Sequence, residues 1–209
     1  MVFHDRFEAG ELLAQKLASY AKDPDTIVIA LPRGGVPVAY VIAKQLELPM
    51  DIFFVKKIPS PYNPEAAIGA ISENGLEYLN ERAVMMLNVS RPYIDEQIQK
   101  IMEKIREKRA LYRKPRIDVK GKRVILVDDG VATGASMYLA AKALKEEGAK
   151  EVIIAVPVAP PDSIALLKEA ADRVVVLDTP PDFMAVGQFY RDFHQLSDEE
   201  VMELLLKAD

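Results

Sequence analysis

The chain contains no cysteine. That excludes disulfides, thiolate metal sites and cysteine nucleophiles. Tryptophan is also absent, and the two histidines, His4 and His194, are too far apart in sequence to suggest a metal-binding pair. No apolar run approaches the roughly 18 residues of a membrane span. The start, Met1-Val2-Phe3-His4-Asp5-Arg6, lacks the basic-then-apolar order of a secretory leader. A cytoplasmic protein with no membrane partner is expected. Positive charge is not in excess either: 27 Lys and Arg against 32 Asp and Glu leave a net charge of −5. Global electrostatics therefore gives no reason to expect nucleic acid as a partner.

Half of the 209 residues are hydrophobic and 28% are charged, which suits one large domain with a core of ordinary size. Strand and helix patterns alternate. Phe7 to Tyr20 has helical spacing of Leu12, Leu13 and Leu17. Thr26 to Leu31 reads as a strand, Pro32-Arg33-Gly34-Gly35 as a turn, and Val36 to Leu46 as a helix with Pro37 near its start. Asp51 to Ile58 is a second expected strand, followed by a proline-rich loop and a strand from Ala66 to Ser72. Ser90-Arg91-Pro92 opens a long helix to about Tyr112, with Ile94, Ile98, Ile101 and Ile105 on one face. Further strands are expected at Val152 to Val156 and Arg173 to Leu177, and helices at Ser163 to Ala171 and Asp198 to Lys207. Such alternation with short links implies an α/β fold, a largely parallel central sheet with helices on both faces.

The most informative stretch is Val124-Ile125-Leu126-Val127-Asp128-Asp129-Gly130-Val131-Ala132-Thr133-Gly134-Ala135-Ser136. Its apolar run reads as a buried parallel strand, and the carboxyl ends of such strands are where open α/β sheets hold ligands. Two adjacent carboxylates there can accept hydrogen bonds from a diol or help hold a divalent cation. The turn Ala132-Thr133-Gly134-Ala135-Ser136 can aim N–H groups and hydroxyls at a phosphate, reinforced by a helix N-terminus.

At these residues the chain resembles the type I phosphoribosyltransferases, whose signature is an apolar strand, an acidic pair, a short spacer and Thr-Gly-x-Thr/Ser. The resemblance runs from Thr26 to about Phe193. It implies a single domain with a small hood over the sheet edge, contributed mainly by residues 179–209. It also implies transfer of 5-phosphoribose from 5-phosphoribosyl-1-pyrophosphate (PRPP) to a nitrogenous base or amine. Asp128 and Asp129 would hold the ribose hydroxyls and Mg²⁺, directly or through water, and Ala132 through Ser136 the 5-phosphate. Arg33-Gly34-Gly35 looks like the pyrophosphate loop of that family, which commonly carries a cis peptide; by position this is the Pro32–Arg33 bond. Lys56-Lys57 stands where adenine-type members place an Arg-Lys pair against pyrophosphate, and one of the two is expected to face the site. The loop from Ser60 to Ile71 matches the flexible loop of the family, with Tyr62, Asn63 and Glu65 as candidates to reach substrate.

The tail from Pro180 to Phe193 loosely resembles the hood of hypoxanthine–guanine enzymes. There Phe183 would stack on the base, with Arg191 near pyrophosphate and Asp192 near the metal. The segment Val156-Pro157-Val158-Ala159-Pro160 lacks the lysine with which those enzymes read a purine 6-oxo group. The acceptor therefore stays open between purines, pyrimidines and other amines. A regulator that senses PRPP or a nucleotide without catalysis is the alternative function. Homodimers are common in the family, and the apolar face of the long helix is a candidate interface.

Overall fold

The structure, a computed structural model, describes residues 1–209. In chain order the first elements are α1 (Arg6–Lys16), β1 (Thr26–Ala30), α2 (Gly35–Leu46), β2 (Met50–Ile52), β3 (Val55–Pro59), β4 (Ala67–Ser72) and β5 (Glu77–Leu79). Then come α3 (Glu81–Met86), α4 (Arg91–Tyr112), β6 (Arg123–Val127), α5 (Ala135–Glu146) and β7 (Glu151–Val158). The chain closes with α6 (Pro161–Ala170), β8 (Arg173–Asp178) and α7 (Asp198–Ala208). A five-stranded parallel sheet has the order β2-β1-β6-β7-β8, and β3-β4-β5 form a separate antiparallel sheet.

Alternation along the central strands sends neighbouring side chains to opposite faces. Val28 and Ala30 of β1, Ile125 and Val127 of β6, and Ile153 and Ala155 of β7 join one core with α1, α2 and α7. Ile27, Ile29, Val124, Leu126, Ile154 and Val156 join the other, against α5 and α6. Burial on both faces explains why these strands read as unbroken apolar runs.

Two expectations need correction. The strand expected from Asp51 to Ile58 is two strands in two sheets. The parallel ladder ends where Phe53 N–H donates to Ala30 O (3.0 Å), because β1 then turns away at Pro32. Phe53 and Phe54 enter opposite cores, and Glu73 Oε1 accepts the Phe54 N–H at 3.1 Å. The apolar face of the long helix is also not free for a second copy. Ile94 packs with Ile58, Ile68 and Ile71 of the antiparallel sheet, joined by Ile98 and Ile101, and Ile105 reaches the main core. Within the tail, α7 buries Val201 and Leu205 in the main core.

Local chemistry sets the helix starts. Ser90 caps α4 by accepting from Tyr93 N–H, with Pro92 in the first turn, and Ser197 with Glu200 forms a capping box on α7. A buried ionic latch fixes α4 to both sheets. Arg109 donates to Asp51 (3.0 Å), to Glu73 (3.0 and 2.7 Å) and to the Ile52 and Lys114 carbonyls. Asp51 and Glu73 have side chains only 3% and 6% exposed. Removing the cation would leave two buried carboxylates without it. Arg109→Met is therefore expected to lower unfolding free energy by about 3–5 kcal/mol, read from urea denaturation; a loss below about 1 kcal/mol contradicts the latch.

Candidate functional site

Chain order reverses at β1. The strand after it, β2, lies on one side and β6 on the other, so the crevice between the carboxyl ends of β1 and β6 is the switch point where such sheets bind ligands. Ala30 pairs with Val127, so the loops 31–35 and 128–136 leave the sheet side by side. Leu31 N–H donates to Val127 O at 2.9 Å. Glycine is required in the first loop by close approach. A Cβ on Gly34 would collide with the Asp129 carboxylate, and one on Gly35 would lie 2.7 Å from Val127 O. The Pro32–Arg33 peptide is cis, at the bond singled out by sequence. The N–H groups of Arg33 and Gly34 have no protein acceptor, which leaves them available to an anion beside the N-terminus of α2.

The second loop encloses a cavity of about 150 Å³ lined by Lys57, Asp128 and residues 130–137. Gly134 takes a φ of 90°, a left-handed conformation that costs glycine little, and α5 starts immediately after it. Ser163 of α6 donates its hydroxyl to Ala132 O and so braces the loop from behind. The N–H groups of Thr133, Gly134 and Ser136 carry no protein acceptor. The cavity thus presents N–H donors and hydroxyls on one side and a carboxylate on the other.

The two carboxylates are not equivalent. Asp128 lines this cavity and accepts the Asp129 N–H through Oδ1 at 2.8 Å. Asp129 is 9% exposed and turned toward α1, where Arg6 Nε donates to its Oδ2 at 3.0 Å. Arg6 also donates to His194 O (3.0 Å) and lies over the Phe193 ring, 4.1 Å from its centroid. Tyr190 donates its hydroxyl to Asp129 O at 2.6 Å. Burial pushes the Asp128 carboxyl well above the usual carboxylate range, and the neighbouring Asp129 charge adds to it. Burial also raises Asp129, while Arg6 opposes the rise. Arg6 engages Asp129 alone, and Lys57 is the cation that lines the cavity with Asp128.

Arg6 and Tyr190 escaped sequence reading because neither belongs to a motif. The only hint was Asp5, whose side chain caps α1 by accepting from Glu8 N–H and so starts the helix at Arg6. Of the lysine pair, Lys57 alone lines the cavity of the second loop, Lys56 alone lines a cleft of about 320 Å³ with Pro32, Arg33, Phe54, Lys108 and Tyr112, and both border a groove along α4. Tyr62, Asn63 and Glu65 sit at the tip of the β3–β4 hairpin, exposed and outside both cavities. Their loop is closed by Ser60 N–H to Ala66 O (2.8 Å) and Glu65 N–H to Asn63 Oδ1 (3.1 Å).

The hood is built from both ends of the chain. Phe3 pairs with Tyr190, and Val186 lies so close over Gly130 that a Cβ there would sit 2.6 Å from it. Phe183 is half-buried against Phe189 (5.2 Å between centroids), and Phe189 itself is core. Arg191 and Asp192 are not where the sequence expectation put them. Their N–H groups donate to Phe3 O (2.8 Å) and His4 O (2.9 Å), which pins this stretch along the N-terminal segment. Arg191 is exposed and lines neither cavity, and Asp192 is paired with His194 at 2.9 Å. The other ring nitrogen of His194 meets Glu200 at 2.8 Å.

Comparison with known proteins agrees with this geometry. The sequence model of the phosphoribosyl transferase domain matches residues 4–194. The chain belongs to the phosphoribosyltransferase family. A Mycobacterium tuberculosis protein whose name assigns it provisionally to the phosphoribosyl transferases is 41% identical over 209 residues, covering 99% of this chain and 47% of its own length. The chain thus spans about half the length of the curated relatives it matches. The crystal structure of TT1426 from Thermus thermophilus aligns over 99% of both chains with 41% identity and a TM-score of 0.82. A purine phosphoribosyltransferase from Pyrococcus horikoshii shares the fold at 20% identity, with 94% of this chain and 97% of its own aligned and a TM-score of 0.51. No helix is long and apolar enough to cross a membrane.

The raised Asp128 carboxyl has a stability consequence. A carboxyl whose folded pKa exceeds its unfolded value binds more protons when folded, so its contribution to stability falls as pH rises above the ordinary value of 3.8. Asp128→Asn keeps an oxygen for the Asp129 N–H and removes the buried charge. The variant is expected to melt about 2–4 °C above the parent at pH 7, with the difference shrinking as pH falls toward 4 in calorimetry. An equal or lower midpoint at pH 7 contradicts the assignment.

Proposed function

We propose that this chain transfers 5-phosphoribose from PRPP to a nitrogenous base or amine and releases pyrophosphate. The observation that carries the reading is the placement of the phosphate cavity and Asp128 directly beside the Pro32–Gly35 loop, at the switch point of the sheet. The 5-phosphate would sit against the N–H groups and hydroxyls of residues 132–136. Asp128 would accept hydrogen bonds from the ribose hydroxyls. Asp129, already engaged by Arg6, acts as a positioning residue that holds the strand end and the glycine loop in register. Arg33, Lys56 and Lys57, with the free N–H groups of Arg33 and Gly34, would receive pyrophosphate.

In the reaction the bond between C1 of the ribose and the pyrophosphate oxygen breaks, and its electron pair leaves with pyrophosphate. The acceptor nitrogen supplies the pair for the new C1–N bond and releases its proton. Positive charge that grows on the ribose ring would be stabilised by Asp128, and negative charge on the leaving group by Arg33 of the first loop and the lysines of β3. The donor set suits Mg²⁺, a hard cation that takes one or two carboxylates together with phosphate and hydroxyl oxygens. Asp128 would be the protein residue that holds it. When bound, Mg²⁺ would neutralise pyrophosphate and offset the Asp128 charge. Phe183, half-buried in the hood, is the ring offered to the acceptor.

The test is release of pyrophosphate from PRPP and Mg²⁺ against a panel of purines, pyrimidines and simple amines. One acceptor class is expected to give turnover. Asp128→Asn with Asp129→Asn is expected to lower that rate by at least about 10³-fold, with unchanged circular dichroism. A double variant as active as the parent would overturn the mechanism.

A further inference from the structure

Beyond the donor crevice, a second cationic groove runs between β3 and α4. It has a volume of about 390 Å³, and four of its seven lining residues are lysines: Lys56, Lys57, Lys100 and Lys104. Gln97 adds a donor, and no carboxylate lines it. Through Lys56 it continues into the cleft of about 320 Å³ that holds Arg33 and Lys108. In a chain of net charge −5 this concentration of one sign is local. Of the lysines on β3 and α4, Lys100 pairs with Glu96 (3.2 Å) and Lys108 with Asp198 (2.6 Å), whereas Lys56, Lys57 and Lys104 have no carboxylate partner. The Lys100–Glu96 pair is well exposed, so solvent screens it and it opposes a ligand little. Glu103 and Glu107 of α4 line neither cleft.

We propose that this groove binds a linear polyphosphate chain that lies along Lys100 and Lys104, outside the donor crevice, and reaches with one end the Lys56, Lys57 and Arg33 cations proposed above for pyrophosphate, a reading on which that end of the site rests. Spacing favours an extended polyanion. Lys100, Lys104 and Lys108 recur every fourth residue, so their Cα atoms lie about 6 Å apart and span about 12 Å along the helix. Lys56 and Arg33 extend the row toward the first loop. A single phosphate would satisfy only a part of it. The lining also favours a bare chain over a nucleotide. Pro59 and Ile101 are the groove's apolar residues, and the aromatic rings of the adjoining cleft, Phe54 and Tyr112, are 2% and 5% exposed. No aromatic face is offered to a base.

The site is tested with inorganic tripolyphosphate by titration calorimetry at low salt. Lys100→Gln with Lys104→Gln is expected to weaken tripolyphosphate binding by about tenfold or more while PRPP affinity stays within about twofold. A control, Lys16→Gln with Lys120→Gln, removes the same charge elsewhere on the surface and is expected to leave tripolyphosphate affinity unchanged. Tripolyphosphate binding that is undetectable, or that survives Lys100→Gln with Lys104→Gln, overturns the proposal. So does an equal loss in the control, which would indicate non-specific attraction. A parallel loss of PRPP affinity would make the groove part of the PRPP site and overturn it as well. Because PRPP affinity is read separately, failure here leaves the transferase reading untouched.

Discussion

The pairing of Arg6 with Asp129 is the interaction on which the arrangement of the crevice depends. It joins residues 123 positions apart in sequence, and through the same guanidinium reaches the His194 carbonyl and the Phe193 ring. Three otherwise independent segments meet there: the first helix, the carboxyl end of β6 and the hood. A buried carboxylate without its cation would cost several kcal/mol, so the pair constrains all three at once. The Asp129 carboxylate in turn forms the wall against which Gly34 packs. Displacing Arg6 would loosen the first loop as well as the hood.

This use of Asp129 gives adjacent, chemically identical residues different jobs. Asp129 spends its charge on an internal cation, and Asp128 keeps its own directed into the cavity. A raised carboxyl in a binding crevice is a stability cost, and such costs are characteristic of sites that wait for a counter-charge. Under the proposed reading, the sugar hydroxyls and a hard cation supply it. On the cationic side, Lys57 alone of the lysine pair lines the cavity of the second loop and Lys56 alone the Arg33 cleft, while both reach the groove along α4.

What was legible in the sequence is what the chain encodes over short distances. The strand–acid–acid–loop–helix segment from Val124 to Ser136 was readable because one strand end and one helix start hold all its parts. The glycines after β1 were readable for the same reason, and their tight fit against Asp129 and Val127 shows why nothing larger stands there. The central strands β1, β6 and β7 were legible because burial on both faces removes polar residues from them. The division at Phe53-Phe54 was not, since a continuous apolar-basic run looks alike whether or not its pairing partner turns away. Arg191 and Asp192 were misplaced because their position is set by backbone pairing with Phe3 and His4, at the other end of the chain. Arg6 was invisible for the same cause: an isolated arginine in a helix carries no mark of a partner more than a hundred residues away.

The same contrast bears on specificity. Under the proposed reading, the donor half of the crevice is made from strand ends, glycines and helix N-termini, all fixed by the central sheet. The hood is made from two chain ends joined to each other by the Phe3–Tyr190 pairing and fastened to the sheet by Arg6, by the Tyr190 hydroxyl and by Val186 over Gly130. Phe183, half-buried against Phe189, takes no part in these anchors. In a phosphoribosyltransferase the donor is common to the family and the acceptor varies. A rigid donor site under a separately fastened hood meets that requirement: the hood can be altered residue by residue so long as Arg6 still finds Asp129.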